Sequence, residues 1–231
     1  MQYQIEGDSF PVVICKLTPG ETMICQSGAM SWMNPDVKME TTTNGGIGAM
    51  FGRMFSGESL FMNRYTAGNK ESMIAFSSSF PGKILPLEIT PGKEMIVQKT
   101  GYLASTANVK LSVFLQKKIG AGLVGGEGFI LEKLSGEGTA FLEIDGSCIE
   151  YELAAGQQLV INTGYFAAAD STCSIDVKTV SGMKNILFGG EGIFNTVITG
   201  PGKVYIQTKP IASLAAVLKP FFPTQTSSSG S

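Results

Sequence analysis

The chain reads as an all-β protein of three tandem repeats in pseudo-threefold symmetry, a sandwich or double-stranded β-helix with a short C-terminal helix. Three observations predict this. The 29 glycines are spread between short β-branched and aromatic runs, the pattern of many strands joined by tight turns. Two motifs each recur three times, in the same order. Period-2 alternation, the mark of a half-buried strand, sets Ile149, Tyr151 and Leu153 against Glu150 and Glu152.

The first motif is a turn followed by a strand. It reads Leu17-Thr18-Pro19-Gly20-Glu21-Thr22-Met23-Ile24-Cys25, then Ile89-Thr90-Pro91-Gly92-Lys93-Glu94-Met95-Ile96-Val97, then Leu153-Ala154-Ala155-Gly156-Gln157-Gln158-Leu159-Val160-Ile161. A Pro-Gly or Ala-Gly turn precedes two polar and three apolar residues, and a second glycine follows at Gly28, Gly101 and Gly164. The second motif starts at Gly57-Glu58, Gly126-Glu127 and Gly190-Glu191 and runs to Gly68, Gly136 and Gly200. Copies of the first motif are offset by 72 and 64 residues, and those of the second by 69 and 64. A third element precedes each turn: residues 10–17 match 80–87, and 148–153 hold the place in the last copy.

These spacings divide a single β domain, 1–209, into repeats of about 1–75, 76–141 and 142–209. A sheet-like unit of that size buries its apolar face poorly alone, so the three are expected to share a core. The last strand, Val204-Tyr205-Ile206-Gln207, is expected beside Tyr3-Gln4-Ile5, closing the ring and removing exposed edges. Apolar residues at 211, 214, 215 and 218 have helical spacing, so 210–220 is expected to be a short docked helix. The Ser-rich stretch 224–231 has the composition of a disordered tail.

Composition excludes several functions. With no histidine, Ser-His-Asp and Cys-His nucleophile activation are unavailable, as are Cys/His zinc sites and the non-haem iron triad. Carboxylate, lysine, tyrosine or lone-thiol chemistry survives, and no cofactor is expected. Net charge is −2 and no basic cluster is denser than Lys117-Lys118, which argues against nucleic acid. Charged residues are 16% of the chain, against about 25% in typical soluble domains, so much of the surface is expected to contact something. The N-terminus lacks a basic region and apolar core, and no apolar run suits a bilayer span, so a cytoplasmic location is expected. Cys15, Cys25, Cys148 and Cys173 read as buried or half-buried thiols in a reducing compartment.

Four features are candidate sites. Gly120-Ala121-Gly122-Leu123-Val124-Gly125 fits a dinucleotide fingerprint, but a turn and strand follow it where a helix is required, so it reads as a loop. The glycine-rich loops are apolar: Met50, Phe51 and Phe55 in the first copy, Leu123 and Val124 in the second, Leu187 and Phe188 in the third. They either fold inward as a lid or form a surface for a protein partner, another subunit or a lipid face. Glu58, Glu127 and Glu191 could hold a cation about the axis, or could bond neighbouring backbone as turn glutamates do. Trp32, beside the Asn34-Pro35-Asp36 turn, has no counterpart in the other copies; it either gates a pocket or fills a gap in the first unit.

The residues 17–21, the segment Ser27-Gly28-Ala29-Met30-Ser31-Trp32-Met33, the glycine loop leading to Gly57-Glu58-Ser59, and the two later Gly-Glu-Gly runs form a recognisable set. On that set the chain resembles the family of altered inheritance of mitochondria protein 24, over about residues 1–218. The resemblance implies a fold related to the tryptophan RNA-binding attenuation protein, without its RNA binding. Mitochondrial relatives are linked to inner-membrane organisation, and the resemblance brings no catalytic residues. The expected function is non-enzymatic, through assembly or peripheral membrane or partner contact at the apolar loops. A small-ligand or cation site at the three glutamates is the alternative.

Overall fold

The computed structural model describes residues 1–42, 62–117, 129–179, 194–218 and 221–222. It is built of antiparallel sheets with one short α-helix among the described residues. After β1 (Gln2–Glu6), the strands fall into three successive sets of six. The first set is β2 (Val12–Leu17), β3 (Thr22–Gln26), β4 (Met30–Met33), β5 (Lys38–Thr42), β6 (Met62–Thr66) and β7 (Ser72–Ser77). The second is β8 (Gly82–Ile89), β9 (Met95–Gln98), β10 (Tyr102–Thr106), β11 (Val109–Lys117), β12 (Phe129–Gly136) and β13 (Gly138–Asp145). The third is β14 (Cys148–Leu153), β15 (Gln158–Asn162), β16 (Phe166–Asp170), β17 (Ser174–Thr179), β18 (Phe194–Thr199) and β19 (Gly202–Gln207), followed by α1 (Ile211–Leu218).

The turn that opens each set is dictated by its glycine. Gly20, Gly92 and Gly156 have φ of +78°, +85° and +78°, the left-handed value needed at the third position of a type II turn. Each turn closes with the N–H of the next residue donating to a carbonyl three residues back: Glu21 to Thr18, Lys93 to Thr90 and Gln157 to Ala154. A Cβ at any of the three glycines would meet nothing within 4 Å, so the requirement is one of backbone conformation, not space. Gly156→Ala is therefore expected to cost about 1–2 kcal/mol, read as a lower urea midpoint with an unchanged slope.

The same pairings recur in each set. β2 pairs β7, β8 pairs β13, and β14 pairs β19; β7, β13 and β19 then pair β4, β10 and β16. Each of the latter ladders carries one bulge at the same place: between Met30 and Trp32, between Tyr102 and Ala104, and between Phe166 and Ala168. The other half of each set is the three-stranded group β5-β6-β3, β11-β12-β9 or β17-β18-β15. Successive sets are joined by sheet sharing. β10 adds to β3 and β16 adds to β9, giving two six-stranded sheets, β5-β6-β3-β10-β13-β8 and β11-β12-β9-β16-β19-β14. Two partial sheets, β1-β2-β7-β4 and β15-β18-β17, lie at the two ends of this series.

Three sequence expectations change. β19 does not meet the N-terminal strand: both its edges are occupied, by β14 and β16, while β1 pairs β2. A strand with two hydrogen-bonded neighbours has no backbone groups left for a third. In place of one shared core, the buried apolar side chains form three clusters. One is centred on Val13, Cys15, Met23 and Phe76, one on Ile89, Val97, Tyr102 and Leu142, and one on Phe129, Leu131, Phe166 and Ile198. Each cluster takes residues from adjoining sets: Phe141 of the second set lies in the first cluster, Tyr205 of the third in the second, and Phe129 and Leu131 of the second in the third. Finally, α1 is present but only shallowly docked, with Ala212, Ser213 and Leu214 half-buried. Asp145 Oδ2 accepts the Ile211 N–H at 2.8 Å at its start, yet no α1 residue is buried.

The ladders also correct the alignment. Leu17 and Ile89 face Ser72 and Gly138 at the ends of equivalent strands, so Leu17 corresponds to Ile89 and not to Leu87. Ala67, not Gly68, takes the place of Gly136 and Gly200, just beyond Tyr65-Thr66, Leu134-Ser135 and Ile198-Thr199, which face the equivalent strands. The stretch 224–231 lies outside the described residues.

Candidate functional site

The apolar loop residues Met50, Phe51, Phe55, Leu123, Val124, Leu187 and Phe188 lie outside the described residues, as do Glu58, Glu127, Glu191 and the 120–125 loop. The stretches that carry them join the same strand pair in each set: β5 to β6, β11 to β12 and β17 to β18. What the structure does describe is how one set joins the next, and what is left over at the two ends.

Both internal seams have one register. β10 meets β3 with Ala104 opposite Cys25, Ser105 opposite Ile24 and Thr106 opposite Met23. β16 meets β9 with Ala168 opposite Val97, Ala169 opposite Ile96 and Asp170 opposite Met95. The last residue of β10 and of β16, and Asn34 just beyond β4, act alike. Asn34 Oδ1, Thr106 Oγ1 and Asp170 Oδ2 accept the backbone N–H of Met73, Thr139 and Lys203 at 2.7, 3.2 and 2.8 Å. Each bond fixes the strand end against the following hairpin and so sets the seam's position. Asp36 completes the anchor in the first set, where Oδ2 accepts from Ser72 Oγ at 2.6 Å.

A cleft lies beside each seam. Between the second and third sets it is about 410 Å³ and includes Glu88, Lys93, Glu94, Asp170, Lys203 and Tyr205 in its lining; between the first and second it is about 160 Å³. In the larger cleft several polar groups are engaged with protein. Glu94 pairs with Lys133, Glu88 Oε1 accepts from Thr139 Oγ1 at 3.0 Å, and Lys203 Nζ donates to Glu150 at 2.6 Å. The Ser171 N–H donates to the Glu94 carbonyl across the seam at 3.0 Å. The cleft is thus a stitched joint more than an open binding pocket.

The lone-thiol chemistry left open by the missing histidine finds no activated thiol here. All four cysteines are free; burial pushes Cys15 and Cys25 up to about 12, and Cys148 and Cys173 are also raised. A nucleophilic thiol needs the opposite shift. Among the described residues no group of three or more Cys, Asp or Glu is placed to hold a metal. One buried carboxyl stands out. Glu132 on β12 faces Val97, at the position taken by Asn63 facing Cys25 and Thr196 facing Ile161. All three are buried. Asn63 and Thr196 are neutral and bonded to Thr41 and Thr163. Loss of solvation raises the Glu132 carboxyl to about 7, opposed by the Lys99 ammonium.

The two ends of the series differ from the seams. Among the described strands, β4 pairs only β7, and β15 pairs only β18. The register places Trp32 where Ala104 and Ala168 stand, opposite Ala75, Phe141 and Tyr205 respectively. Trp32 therefore does have counterparts, which the sequence hides because large and small residues exchange places across the strand pair. Ala104 and Ala168 are 0% exposed, whereas Trp32 is 44% exposed. Likewise Val160 on β15 is 61% exposed, while its counterpart at a seam, Ile96, is 1% exposed. On β14, Ile149 and Tyr151 are 41% and 47% exposed, although the alternation predicted a half-buried strand. Their counterparts Val13 and Cys15 are 0% exposed in the first core, and in the second Leu87 is buried and Leu85 half-buried. Among the described residues no further set covers that face of the third.

A family model for mitochondrial biogenesis AIM24 matches residues 3–209. The chain belongs to that family. An uncharacterised protein of Streptococcus pyogenes serotype M6 is 28% identical over 233 residues, covering 97% of this chain and 92% of its own length. A crystal structure of a Streptococcus pyogenes protein superposes with a TM-score of 0.80 at 25% identity, covering 96% of this chain and 99% of that one. The match confirms the all-β class of this AIM24-family chain over nearly its whole length. No helix among its described residues is long and apolar enough to cross a membrane.

Proposed function

We propose that this AIM24-family chain is a non-enzymatic cytoplasmic protein that works by assembly, binding other polypeptide through its open sheet ends. The observation that carries the reading is the exposure of Trp32 and Val160 on strands with a free edge among the described residues: Trp32's counterparts Ala104 and Ala168 are fully buried at the seams, and Val160's counterparts Ile96 and Ile24 are buried and half-buried. A free edge with apolar side chains is a template for strand addition, and proteins that do not use such edges blunt them with charge or proline. Neither β4 nor β15 contains a charged residue or a proline. The three sets are read as copies of one unit, and the equivalent loops with Met50, Phe51, Phe55, Leu123, Val124, Leu187 and Phe188 would extend the contact surface. A membrane surface is the other partner that suits exposed apolar residues, including Phe221 and Phe222.

Light scattering on the purified protein is expected to give a mass that is a multiple of the 24.4 kDa chain. Trp32→Ala should weaken association roughly 30-fold or more, as loss of a central aromatic anchor does, with the far-ultraviolet spectrum unchanged. A single-chain mass at every concentration, with no flotation on liposomes, would remove the reading.

A further inference from the structure

The open edge of β4 and the open edge of β15 are the two halves of a seam that the chain already forms twice. We infer that they are completed by a second copy, with β4 of one chain adding head-to-tail to β15 of the next; this rests on the assembly reading above. Each internal seam joins the β4-type strand of a later set to the β3-type strand of an earlier one. The only strands of these two types left without such a partner are β4 of the first set and β15 of the third, among the described residues. Transferring the shared register places Trp32 opposite Ile161, Met33 opposite Val160 and Asn34 opposite Leu159 of the neighbouring copy. The result would be a seven-stranded sheet, β1-β2-β7-β4-β15-β18-β17, in which the six strands from β2 to β17 repeat the strand order of the other two shared sheets.

Side-chain exposure fits the same docking. At a seam, the later set's β13 or β19 lays a large residue on the earlier set's core: Phe141 belongs to the first core and Tyr205 to the second. The third core receives no residue from a following set. Ile149, Tyr151 and Val160 are the apolar residues such a set would cover, and Trp32 supplies the large side chain that Ala75 does not. The strand ends are preset as well, because Asn34 is bonded to Met73 as Thr106 and Asp170 are to their hairpins. An interface in which different surfaces meet is heterologous, so it forms a ring if the rotation closes and a filament if it does not.

The test is a cross-link between chains that each carry half of it. Met33→Cys and Val160→Cys are made separately in a Cys148→Ser background, co-produced in one cell, and treated with a short bis-maleimide. The other three cysteines are buried. A two-chain band is expected from the co-produced pair and from neither variant alone, and Trp32→Ala added to the Met33→Cys chain should weaken it while leaving the thermal transition in place. Linkage within one chain in the double variant would overturn the inference, because the chain would be closing its own ring. So would a Met33→Cys self-link, which would mean that two β4 edges pair with each other. Oligomers by light scattering without the two-chain band would overturn this docking and leave assembly by another surface standing. A single-chain mass throughout would end both.

Discussion

Phe141→Ala is expected to lose about 3–5 kcal/mol of stability, the range for deleting a fully buried aromatic ring. Phe141 is 0% exposed on the central strand β13, and it stands opposite Ala104 in the ladder. Alanine on both strands would leave a void that neither backbone can collapse, because β10 is held by β3 on its other side. The ring also packs edge-to-face on Tyr3, with centroids 4.9 Å apart, so β1 loses an anchor outside its own ladder. Urea unfolding should show the lower midpoint, and amide exchange should rise in β1. Trp32→Ala is the informative contrast. It removes the large member of the corresponding cross-strand pair in the first set but should cost the single chain far less, because nearly half of Trp32 is already in water.

Glu132→Gln should stabilise the protein near pH 8 by roughly 1–3 kcal/mol and leave it unchanged near pH 4. The folded carboxyl titrates at about 7 against an ordinary 4.5, because a charged form at that depth loses its hydration. Below the unfolded value both states hold the proton, so burial carries no ionic penalty. As pH rises from 4.5 to 7 the unfolded chain ionises first and stability falls. Above 7 the full penalty stands, lessened by Lys99. Glutamine keeps the shape and a polar head without the charge, so its unfolding midpoint should lose this acid-side slope. Midpoints that run parallel for the two proteins across the whole range would contradict the assignment.

The architecture was legible where local chemistry decides it. Pro19-Gly20, Pro91-Gly92 and Ala155-Gly156 announce a turn that only glycine makes cheaply, and the strand after each follows at a fixed distance. It was illegible where two distant strands decide together. Trp32 looks unique in the sequence because its counterparts are alanines, and the bulk appears instead at Phe141 and Tyr205 across the ladder. Ile149 and Tyr151 alternate as a half-buried strand should, yet what covers such a face is the next set, which periodicity within β14 cannot report. The expected docking of β19 on the N-terminal strand failed for a similar reason, since sequence order does not reveal that both its edges are spoken for. The apolar loops and the three glutamates were the most conspicuous residues in the sequence, and the candidate site on the described residues is elsewhere.

Sheet sharing also bears on how the molecule comes apart. Each six-stranded sheet is half one set and half its neighbour, so loosening one set strips a flank from the adjoining one and from no other. Damage therefore spreads by adjacency along the chain, as in stacked repeats, and not through a common centre. The middle set, braced on both flanks, should be the last to exchange its amide protons, while the outer two fray first.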